Sequence, residues 1–473
     1  MANILAPDLC VIGAGSGGLS VAAAAASFGV PVVLIEKGKM GGDCLNYGCV
    51  PSKALLAAAK HAVAARKVGA FGLRAAPAEI DFAKVLAHVH GVIGAIAPTD
   101  SKERFTGLGV HVIEGAARFK DAVTVAVGDI EIKARRFVIA TGSAPALPPI
   151  AGLAETPYLT NETVFDLKRA PEHLIVVGAG PVGLELAQAH RRLGAKVTVL
   201  EAATPLGNDD AECAAIVLDQ LAREGVVIRA GVTVLKVARV DDKVAAVING
   251  PQGEAMIEGS DLLIATGRRP NVDGLALDAA GIEYEPAGIK VDKRLRTTNK
   301  RVYAIGDVAS GHFTHAANYH AGIVVRNALF RLPARVNDDA IPRVTFTAPE
   351  LAHIGLTEPQ ARARHNAIRV LRWPYHENDR AQAEHETQGH IKIVTAANGR
   401  ILGATMVGAH AGELITTWTL ALSRGLNIRA MTEIVVPYPT LSEIGKRAAI
   451  TYFSSSLTSP KVRRVISFLR RFG

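Results

Sequence analysis

Residues 9–18 read Leu-Cys-Val-Ile-Gly-Ala-Gly-Ser-Gly-Gly, an apolar strand followed at once by a glycine-rich turn. A helical pattern follows over residues 19–28, and a second apolar strand at residues 32–35 ends at Glu36. This order of strand, Gly-x-Gly-x-x-Gly, helix, strand and acid is the fingerprint of a dinucleotide-binding unit. The sequence therefore predicts a Rossmann-like α/β domain near the N-terminus.

The glycines and the acid of this unit have separate predicted roles. Gly13 permits the tight turn, Gly15 lets the backbone approach a pyrophosphate, and Gly18 lets the helix pack close to the strand. The pyrophosphate is expected at the helix N-terminus, where backbone N–H groups are free. Glu36 has the spacing for a contact with a ribose hydroxyl, and Lys37 beside it is assigned to the same site.

The same pattern occurs a second time further along the chain. A strand at residues 174–177 precedes Gly178, Gly180 and Gly183, and a later strand ends at Glu201. This second complete fingerprint predicts a second dinucleotide-binding domain, and hence an internal duplication.

Each copy also has a later strand that ends in Ala-Thr-Gly. The first ends at Thr141 and Gly142, and the second ends at Gly267. The repeat of this feature extends the duplication beyond the fingerprints.

Composition sets broad limits on the protein. The chain has 473 residues, of which 49% are hydrophobic and 21% charged, so we expect two to four domains with ordinary cores. The net charge of +9 suits anionic cofactors but is not gathered into a block typical of nucleic-acid binding. No signal peptide and no bilayer-spanning apolar run are evident, which predicts a cytoplasmic protein.

Residues 41–53 read Gly-Gly-Asp-Cys-Leu-Asn-Tyr-Gly-Cys-Val-Pro-Ser-Lys, with two cysteines five positions apart. Pro51 suits a first helical turn, so Cys49 is expected at a helix N-terminus, where the dipole favours a thiolate. A metal site would need two more ligands, and Cys10 and Cys213 are isolated. A structural disulfide is unusual in a chain without an export signal. The pattern therefore favours a redox-active pair.

This stretch resembles the active-site signature of the flavoprotein disulfide reductases, a family that includes dihydrolipoamide dehydrogenase, glutathione reductase and mercuric reductase. The resemblance covers nearly the whole chain, from Asp8 to about Phe453. Asp43 departs from the threonine usual at that place, which is expected to alter a contact near the flavin.

The resemblance implies FAD at the first copy and a nicotinamide at the second. The residues that it assigns to FAD are Gly13, Gly15, Gly18, Glu36, Lys37, Gly42, Lys53, Thr141, Gly142, Gly306 and Asp307. Those that it assigns to the nicotinamide are Gly178, Gly180, Gly183, Glu201 and Gly267. Because Glu201 would repel a 2′-phosphate and no arginine comes directly after it, NADH is favoured over NADPH.

The resemblance also implies roles in electron transfer. NADH would reduce FAD, and the flavin would pass two electrons to a Cys44–Cys49 disulfide. Cys49 would face the flavin and Cys44 would meet the acceptor. Lys53 and Glu185 match a family pair beside the flavin.

The resemblance to the family divides the chain into four segments. Residues 1–145 and 271–342 form the two parts of the FAD domain, residues 146–270 the NAD domain, and residues 343–473 an α+β dimerisation domain of a homodimer. The last residues, from Ser459 to Arg471, are basic and apolar. They predict either a short interfacial helix with weak membrane-surface contact or a mobile basic tail.

One position breaks the family pattern. In dithiol-oxidising members a histidine near the C-terminus acts as the base, and a glutamate after it orients the ring. Here Tyr438 takes the histidine's place while Glu443 is present, as in mercuric reductases. A phenol is a poor base at pH 7. The alternative is that Tyr438 only packs and that another group acts as base.

The function expected is therefore electron transfer from NAD(P)H to a disulfide, metal-ion or protein acceptor. The alternatives are a dihydrolipoamide dehydrogenase that uses a different base, and a flavoprotein electron-transfer subunit that serves a protein partner.

Overall fold

The computed structural model describes residues 3–74, 79–309, 313–454 and 459–472. The helices, numbered in chain order, are α1 (Ser16–Ser27), α2 (Gly42–Asn46), α3 (Cys49–Lys67), α4 (Phe82–Ile96), α5 (Lys102–Gly107), α6 (Pro181–Arg192), α7 (Ala211–Arg223), α8 (Thr314–Ala328), α9 (Glu358–Arg364), α10 (Asp379–Glu384), α11 (Ala411–Ser423), α12 (Ile428–Glu433), α13 (Glu443–Thr451) and α14 (Pro460–Leu469).

The strands up to residue 264 are β1 (Asn3–Leu5), β2 (Leu9–Ile12), β3 (Val32–Glu36), β4 (His111–Glu114), β5 (Arg118–Asp121), β6 (Thr124–Val127), β7 (Ile130–Ile132), β8 (Arg136–Ile139), β9 (Ser143–Pro145), β10 (His173–Val177), β11 (Lys196–Glu201), β12 (Val226–Ala230), β13 (Thr233–Val240), β14 (Lys243–Gly250), β15 (Gly253–Gly259) and β16 (Asp261–Ile264). The later strands are β17 (Arg268–Pro270), β18 (Tyr284–Glu285), β19 (Gly288–Ile289), β20 (Val302–Ala304), β21 (Arg343–Thr345), β22 (Glu350–Gly355), β23 (Ile368–Pro374), β24 (His390–Ala396) and β25 (Ile401–Gly408).

The chain divides into two compact units. The first comprises Met1–Ala202 and Val226–Val336, and the second comprises Ala203–Gly225 and Asn337–Gly473. The division predicted from sequence, at residues 145, 270 and 342, remains a prediction.

The first unit contains two parallel sheets, one for each fingerprint. The five strands of one run in the order β20-β8-β2-β3-β4, and the four of the other in the order β12-β11-β10-β16. In each sheet the strand before the glycine turn lies in the interior and is almost wholly buried, as expected for a parallel sheet covered on both faces. The predicted α/β class with two Rossmann-like domains is confirmed.

Each copy also carries a small sheet after its first parallel strands. Strands β5, β6 and β7 form antiparallel pairs in the first copy, and β13, β14 and β15 do so in the second. The strand-like stretches at residues 110–113, 123–126 and 130–132 predict a small antiparallel excursion, and this prediction is wrong for the first stretch. The structure pairs β4 with β3 in parallel, because its apolar residues Val112 and Ile113 complete the buried sheet.

The second unit is built on an antiparallel sheet in the order β21-β22-β25-β24-β23. Apolar residues of the sheet and of α11, α12 and α13 form one core, which includes Ile393, Met406 and Trp418. This is the α+β domain that the sequence predicts after residue 342.

Helix α7 belongs to this second unit through a buried ion cluster. The Lys392 ammonium on β24 is almost fully buried and lies 2.9 Å from Asp210, 3.1 Å from Glu212 and 2.9 Å from Glu358. These carboxylates raise the pKa of Lys392 against the opposing effect of burial. Removing the lysine would leave the buried Asp210 without its cation, whereas Glu212 and Glu358 would keep Arg372, so the Lys392–Asp210 pair fixes the start of α7 to the sheet.

One helical stretch passes a length and composition test for a membrane span. Phe82–Gly107 has a mean hydropathy of 1.2, and 17% of the tested window is buried. The sequence pattern predicts two separate helices here, and the structure agrees: α4 ends at Ile96, and α5 begins at Lys102 after a 3₁₀ turn and the extended Ser101. The expectation that no apolar run spans a bilayer stays a prediction. A single such stretch is weak evidence of a membrane span.

Candidate active site

The first fingerprint forms a turn that only glycine fits. Gly13 has a φ of +104°, and a Cβ there would overlap the carbonyl oxygen of Ala140 at the end of β8. A Cβ on Gly18 would overlap the carbonyl oxygen of Gly13. These contacts bring α1 against β2 and aim the helix N-terminus at the end of the sheet.

The acid after β3 closes this turn. The Glu36 carboxylate accepts the N–H of Ala14 at 2.6 Å and the N–H of Gly38 at 2.7 Å. Gly15 caps α1 without a side-chain hydrogen bond, so backbone N–H groups of the first helical turn lack a side-chain cap. Lys37 is exposed just beyond Glu36. The arrangement can bind an anion at the helix N-terminus and a ribose at the acid.

Gly42 completes a cradle opposite this N-terminus. Its φ is +60°, and a Cβ on it would lie 2.7 Å from the Cα of Gly15. Two backbones that approach so closely leave room for an elongated ligand only where both residues lack side chains. The cradle fits a dinucleotide pyrophosphate, which Gly13, Gly15, Gly18 and Gly42 would hold.

The cysteine pair comes directly after the cradle. Cys44 lies in the short helix α2 and is half-buried, while Cys49 is the first residue of α3 and is exposed. Both are thiols in this structure. The Cys49 Sγ lies 3.3 Å from the Thr314 Oγ1 at the start of α8.

The two thiols have opposite pKa shifts. A hydrogen bond from the Cys44 thiol, together with Thr314 and Lys53, lowers the pKa of Cys49 to about 6 against the opposing effect of burial. The same hydrogen bond and burial raise the pKa of Cys44. At neutral pH Cys49 is therefore the thiolate and Cys44 keeps its proton.

Lys53 and Glu185 meet across the two copies. Their Nζ and Oε2 atoms lie 2.8 Å apart, with the Glu185 side chain only 6% exposed and the lysine 37% exposed. Lys53 is on α3, one turn after Cys49, and Glu185 is on α6 of the second copy. The pair places a fixed positive charge beside the thiolate.

A second ion pair joins the cysteine loop to β17. Asp43 lies 3.1 Å from the guanidinium of Arg268, which is also 3.6 Å from Asp307. Ser143 donates a hydrogen bond to Asp307 at 2.6 Å and accepts one from Arg268 at 2.7 Å. Asp43 thus neutralises the charge of Arg268, which a threonine at position 43 could not do.

The remaining residues assigned to FAD surround the same space. Gly306 has a φ of +68° and is followed by Asp307 in a 3₁₀ turn after β20. The Thr141 hydroxyl donates to the carbonyl of Asn271 at 2.7 Å, and Gly142 turns the chain with a φ of +67°. They come together because β8, β20 and β2 are neighbours in one sheet.

The second fingerprint repeats the first. Gly178 has a φ of +108°, and a Cβ there would overlap the carbonyl oxygen of Ala265. Gly183 packs on the carbonyl of Gly178 in the same way, and Glu201 accepts the N–H of Ala179 at 2.7 Å. Gly267 is exposed with a φ of +132° at the neighbouring strand end.

Tyr438 belongs to the second unit and is 69% exposed. Its hydroxyl donates a hydrogen bond to the Asp379 carboxylate at 2.9 Å, which raises its pKa above the usual value. Glu443 begins α13 and adds to that rise. This hydrogen bond favours the protonated phenol, which is a poor base at neutral pH.

Comparison with known proteins agrees with this geometry. Residues 7–322 match the family described as pyridine nucleotide-disulphide oxidoreductase, and residues 341–449 match its dimerisation domain. The chain belongs to the pyridine nucleotide-disulphide oxidoreductase family. Its FAD dependence and its use of NAD(P)H follow from that membership.

Individual relatives of this oxidoreductase include two enzyme types. The mercuric reductase of Lysinibacillus sphaericus is 35% identical over 94% of this chain and 82% of its own length. The dihydrolipoyl dehydrogenase of Thermus scotoductus is 36% identical over 92% of this chain and 95% of its own.

A solved structure shows the same fold. The Cu(II) complex of the HOCl-induced flavoprotein disulfide reductase RclA from Escherichia coli has a TM-score of 0.83 and 28% identity. The match covers 93% of this chain and 98% of that one. The dimerisation domain supports a homodimer of the present oxidoreductase.

Three residues that contact predicted site residues were not themselves predicted from the sequence. Thr314, Arg268 and Asp379 lie far in sequence from Cys49, Asp43 and Tyr438, which they contact. The sequence gives a weak indication for two of them. Arg268 directly follows the Thr-Gly that ends the second repeat, and Thr314 lies seven residues after Asp307. Asp379 had none.

Proposed function

We propose that the enzyme passes two electrons from NADH through FAD to the Cys44–Cys49 disulfide and on to a thiophilic metal ion or a disulfide. The observation that carries this proposal is the placement of Cys49 as the first residue of α3, 3.3 Å from the Thr314 hydroxyl and one turn before Lys53. This placement favours the thiolate on Cys49, while the Cys44 pKa is raised. Bound FAD supplies the hydride acceptor that links nicotinamide to disulfide.

The chain's own residues account for the proton balance of the reduced pair. The disulfide takes two electrons and one proton, which gives a thiol on Cys44 and a thiolate on Cys49. Thr314 and the Lys53 ammonium stabilise that thiolate. Cys44 carries the proton and donates its hydrogen bond to Cys49. Its role as the sulfur that meets the acceptor is proposed from the family resemblance.

The protonated Tyr438 narrows the choice of electron acceptor. Oxidation of a dithiol needs a base that takes its proton, and Tyr438 is held protonated by Asp379. A divalent thiophilic ion bound by two thiolates needs no such base. It takes two electrons, the Cys44–Cys49 disulfide forms again, and the thiol proton goes to solvent. Tyr438 therefore favours a metal-ion acceptor.

A dihydrolipoamide dehydrogenase with another base is the second candidate. It is supported by the 36% identity to the Thermus scotoductus enzyme over 92% of this chain. Steady-state oxidation of NADH with Hg(II), glutathione disulfide or lipoamide separates the two. We expect turnover with Hg(II) to exceed turnover with lipoamide. Fast lipoamide turnover with none on Hg(II) would favour the second candidate, and no turnover on any small acceptor would favour a protein acceptor.

The substitution Tyr438→His tests the role of the phenol. A histidine beside Asp379 and Glu443 would provide a base that titrates near neutrality, so dihydrolipoamide oxidation should rise by about tenfold or more. The measurement is kcat with NAD⁺ at pH 7 to 8, and Tyr438→Phe is the control that removes the hydroxyl without adding a base. If the wild type already oxidises dihydrolipoamide as fast as the histidine variant, Tyr438 does not limit this reaction.

Several finer features belong to the same proposal. NADH is preferred over NADPH because Glu201 would repel a 2′-phosphate, although Arg229 on β12 lies opposite Leu200, one residue before that acid. The division at residues 145, 270 and 342 into FAD, NAD and dimerisation segments is also proposed, as are the cytoplasmic location and a weak membrane contact of the C-terminal tail.

A further inference from the structure

The last helix of the chain, α14, has an exposed apolar face. None of its side chains is buried. At about 100° per residue, Val462, Val465, Ile466 and Leu469 share one side of this helix. The Phe468 ring meets that of Phe472 edge to face at 5.1 Å, beside this apolar side. A stripe of large apolar side chains exposed to water is unfavourable in free energy, and a docking partner that covers the stripe would remove this penalty.

The opposite face of α14 is basic. Arg463 and Arg464 lie on it, Arg470 and Arg471 come just beyond the helix on the same side, and Lys461 lies at its border. No acidic residue occurs between residues 459 and 472. A helix with cations on one face and apolar residues on the other is the pattern of an interfacial segment, whose cations reach lipid phosphates while its apolar side chains enter the acyl boundary.

We infer that α14 docks on the surface of an anionic phospholipid membrane, with its apolar stripe toward the acyl chains. This extends the weak membrane contact proposed above and does not depend on the redox chemistry. Charge complementarity selects this occupant, because five cations without an acid match anionic headgroups better than a protein surface of mixed charge. A homodimer has two copies of α14, and two weak anchors hold a protein on a membrane where one does not.

The test is vesicle flotation of the full-length, FAD-loaded protein. Vesicles of phosphatidylcholine with phosphatidylglycerol are compared with vesicles of phosphatidylcholine alone. We expect binding at least about tenfold stronger on the anionic vesicles, and weaker binding as salt increases. Equal binding to both vesicles, or none to either, would overturn the proposal.

Matched variants separate insertion from attraction by charge. Ile466→Asp places a charge in the apolar stripe, and Ser467→Asp places the same charge on the basic face of the same helix. We expect Ile466→Asp to abolish flotation and Ser467→Asp to weaken it. If both variants lose the same modest fraction, the segment is a basic tail that does not insert and the proposed docking is wrong.

Two further measurements test for effects other than membrane binding. NADH oxidation and FAD content should be unchanged in both variants, because α14 contributes no buried side chain. Sedimentation velocity without lipid tests whether the stripe instead holds a second copy of the chain. A concentration-dependent assembly larger than a dimer, lost in Ile466→Asp, would contradict the membrane assignment.

Discussion

The two nucleotide-binding copies share one turn and differ in the segments that come after it. Gly13 and Gly178 have φ values of +104° and +108°, and a side chain on either would clash with the carbonyl after a neighbouring strand. Glu36 and Glu201 each accept the N–H of the residue after the first glycine, at 2.6 Å and 2.7 Å. This turn, repeated almost unchanged, is the part of each copy that suits a dinucleotide.

The copies diverge after the acid. In the first, the chain returns through Gly42, which closes on Gly15, and then enters the cysteine pair. In the second, a Cβ on Gly180 would meet nothing within 4 Å, and the chain goes on to α7 in the other unit. The shared turn therefore suits nucleotide binding, and the unshared return loop carries the redox chemistry.

The largest effect is expected from Cys49→Ser. It removes the thiolate that only the first copy carries, so NADH-dependent acceptor reduction should fall by about 10³-fold or more. The long-wavelength absorbance of a thiolate beside the flavin in the reduced enzyme should also vanish. Cys10→Ala is the control, because that thiol is buried in β2 and its pKa is raised. Survival of the absorbance in Cys49→Ser would mean that Cys44 is the flavin-facing sulfur.

A matched pair of glycine substitutions should break one copy and spare the other. Gly42→Ala forces a left-handed residue, at about 1–2 kcal/mol, and a Cβ 2.7 Å from Gly15, so FAD should be lost on gel filtration. Gly180→Ala meets open space and should leave FAD content and thermal unfolding unchanged. Equal loss of FAD in both variants would show that the two turns do not act separately.

Substitution of the acid in each copy, Glu36 or Glu201, should have a smaller effect. Glu36→Ala should lower FAD occupancy, whereas Glu201→Ala should leave FAD bound and shift the kcat/KM ratio toward NADPH by about tenfold. Steady-state kinetics with both nicotinamides measures the shift, with Arg229→Ala as a second variant that should shift the ratio the other way. A wild type that already prefers NADPH would reverse the assignment made from Glu201.

The smallest effect is expected at Thr314. Because the folded pKa of Cys49 is about 6, its thiolate should be formed above that pH and be protonated as pH falls through 6. Thr314→Val removes a hydrogen bond to the thiolate and should move this midpoint upward by a fraction of a pH unit. A pH titration of the long-wavelength absorbance measures it. An unchanged midpoint would restrict Thr314 to packing.

Sequence predicted the parts of the site that depend on local backbone rules. The glycine turns, the strand ends and the helix start at Cys49 each depend on a few adjacent residues. The contacts of Thr314 with Cys49 and of Arg268 with Asp43 depend on how β17 and α8 return to the sheet, which no local pattern encodes.

The same limit explains the error at β4. Its apolar residues suit either a buried parallel strand or a hairpin, and only the open edge beside β3 decides between them. The Tyr438 partner, Asp379, lies 59 residues away in a helix that carries no motif. Sequence therefore identified Tyr438 as unusual but could not say what holds its hydroxyl.

The contrast among the four thiols has a practical consequence for handling the protein. Cys10 and Cys213 are buried with raised pKa values, and Cys44 holds its proton, whereas Cys49 is exposed and ionised near neutral pH. A short pulse of iodoacetamide on the reduced enzyme should therefore modify the active-site pair and leave Cys10 and Cys213 unmodified. Peptide mass spectrometry of the alkylated pair would count competent active sites in any preparation, independently of the acceptor.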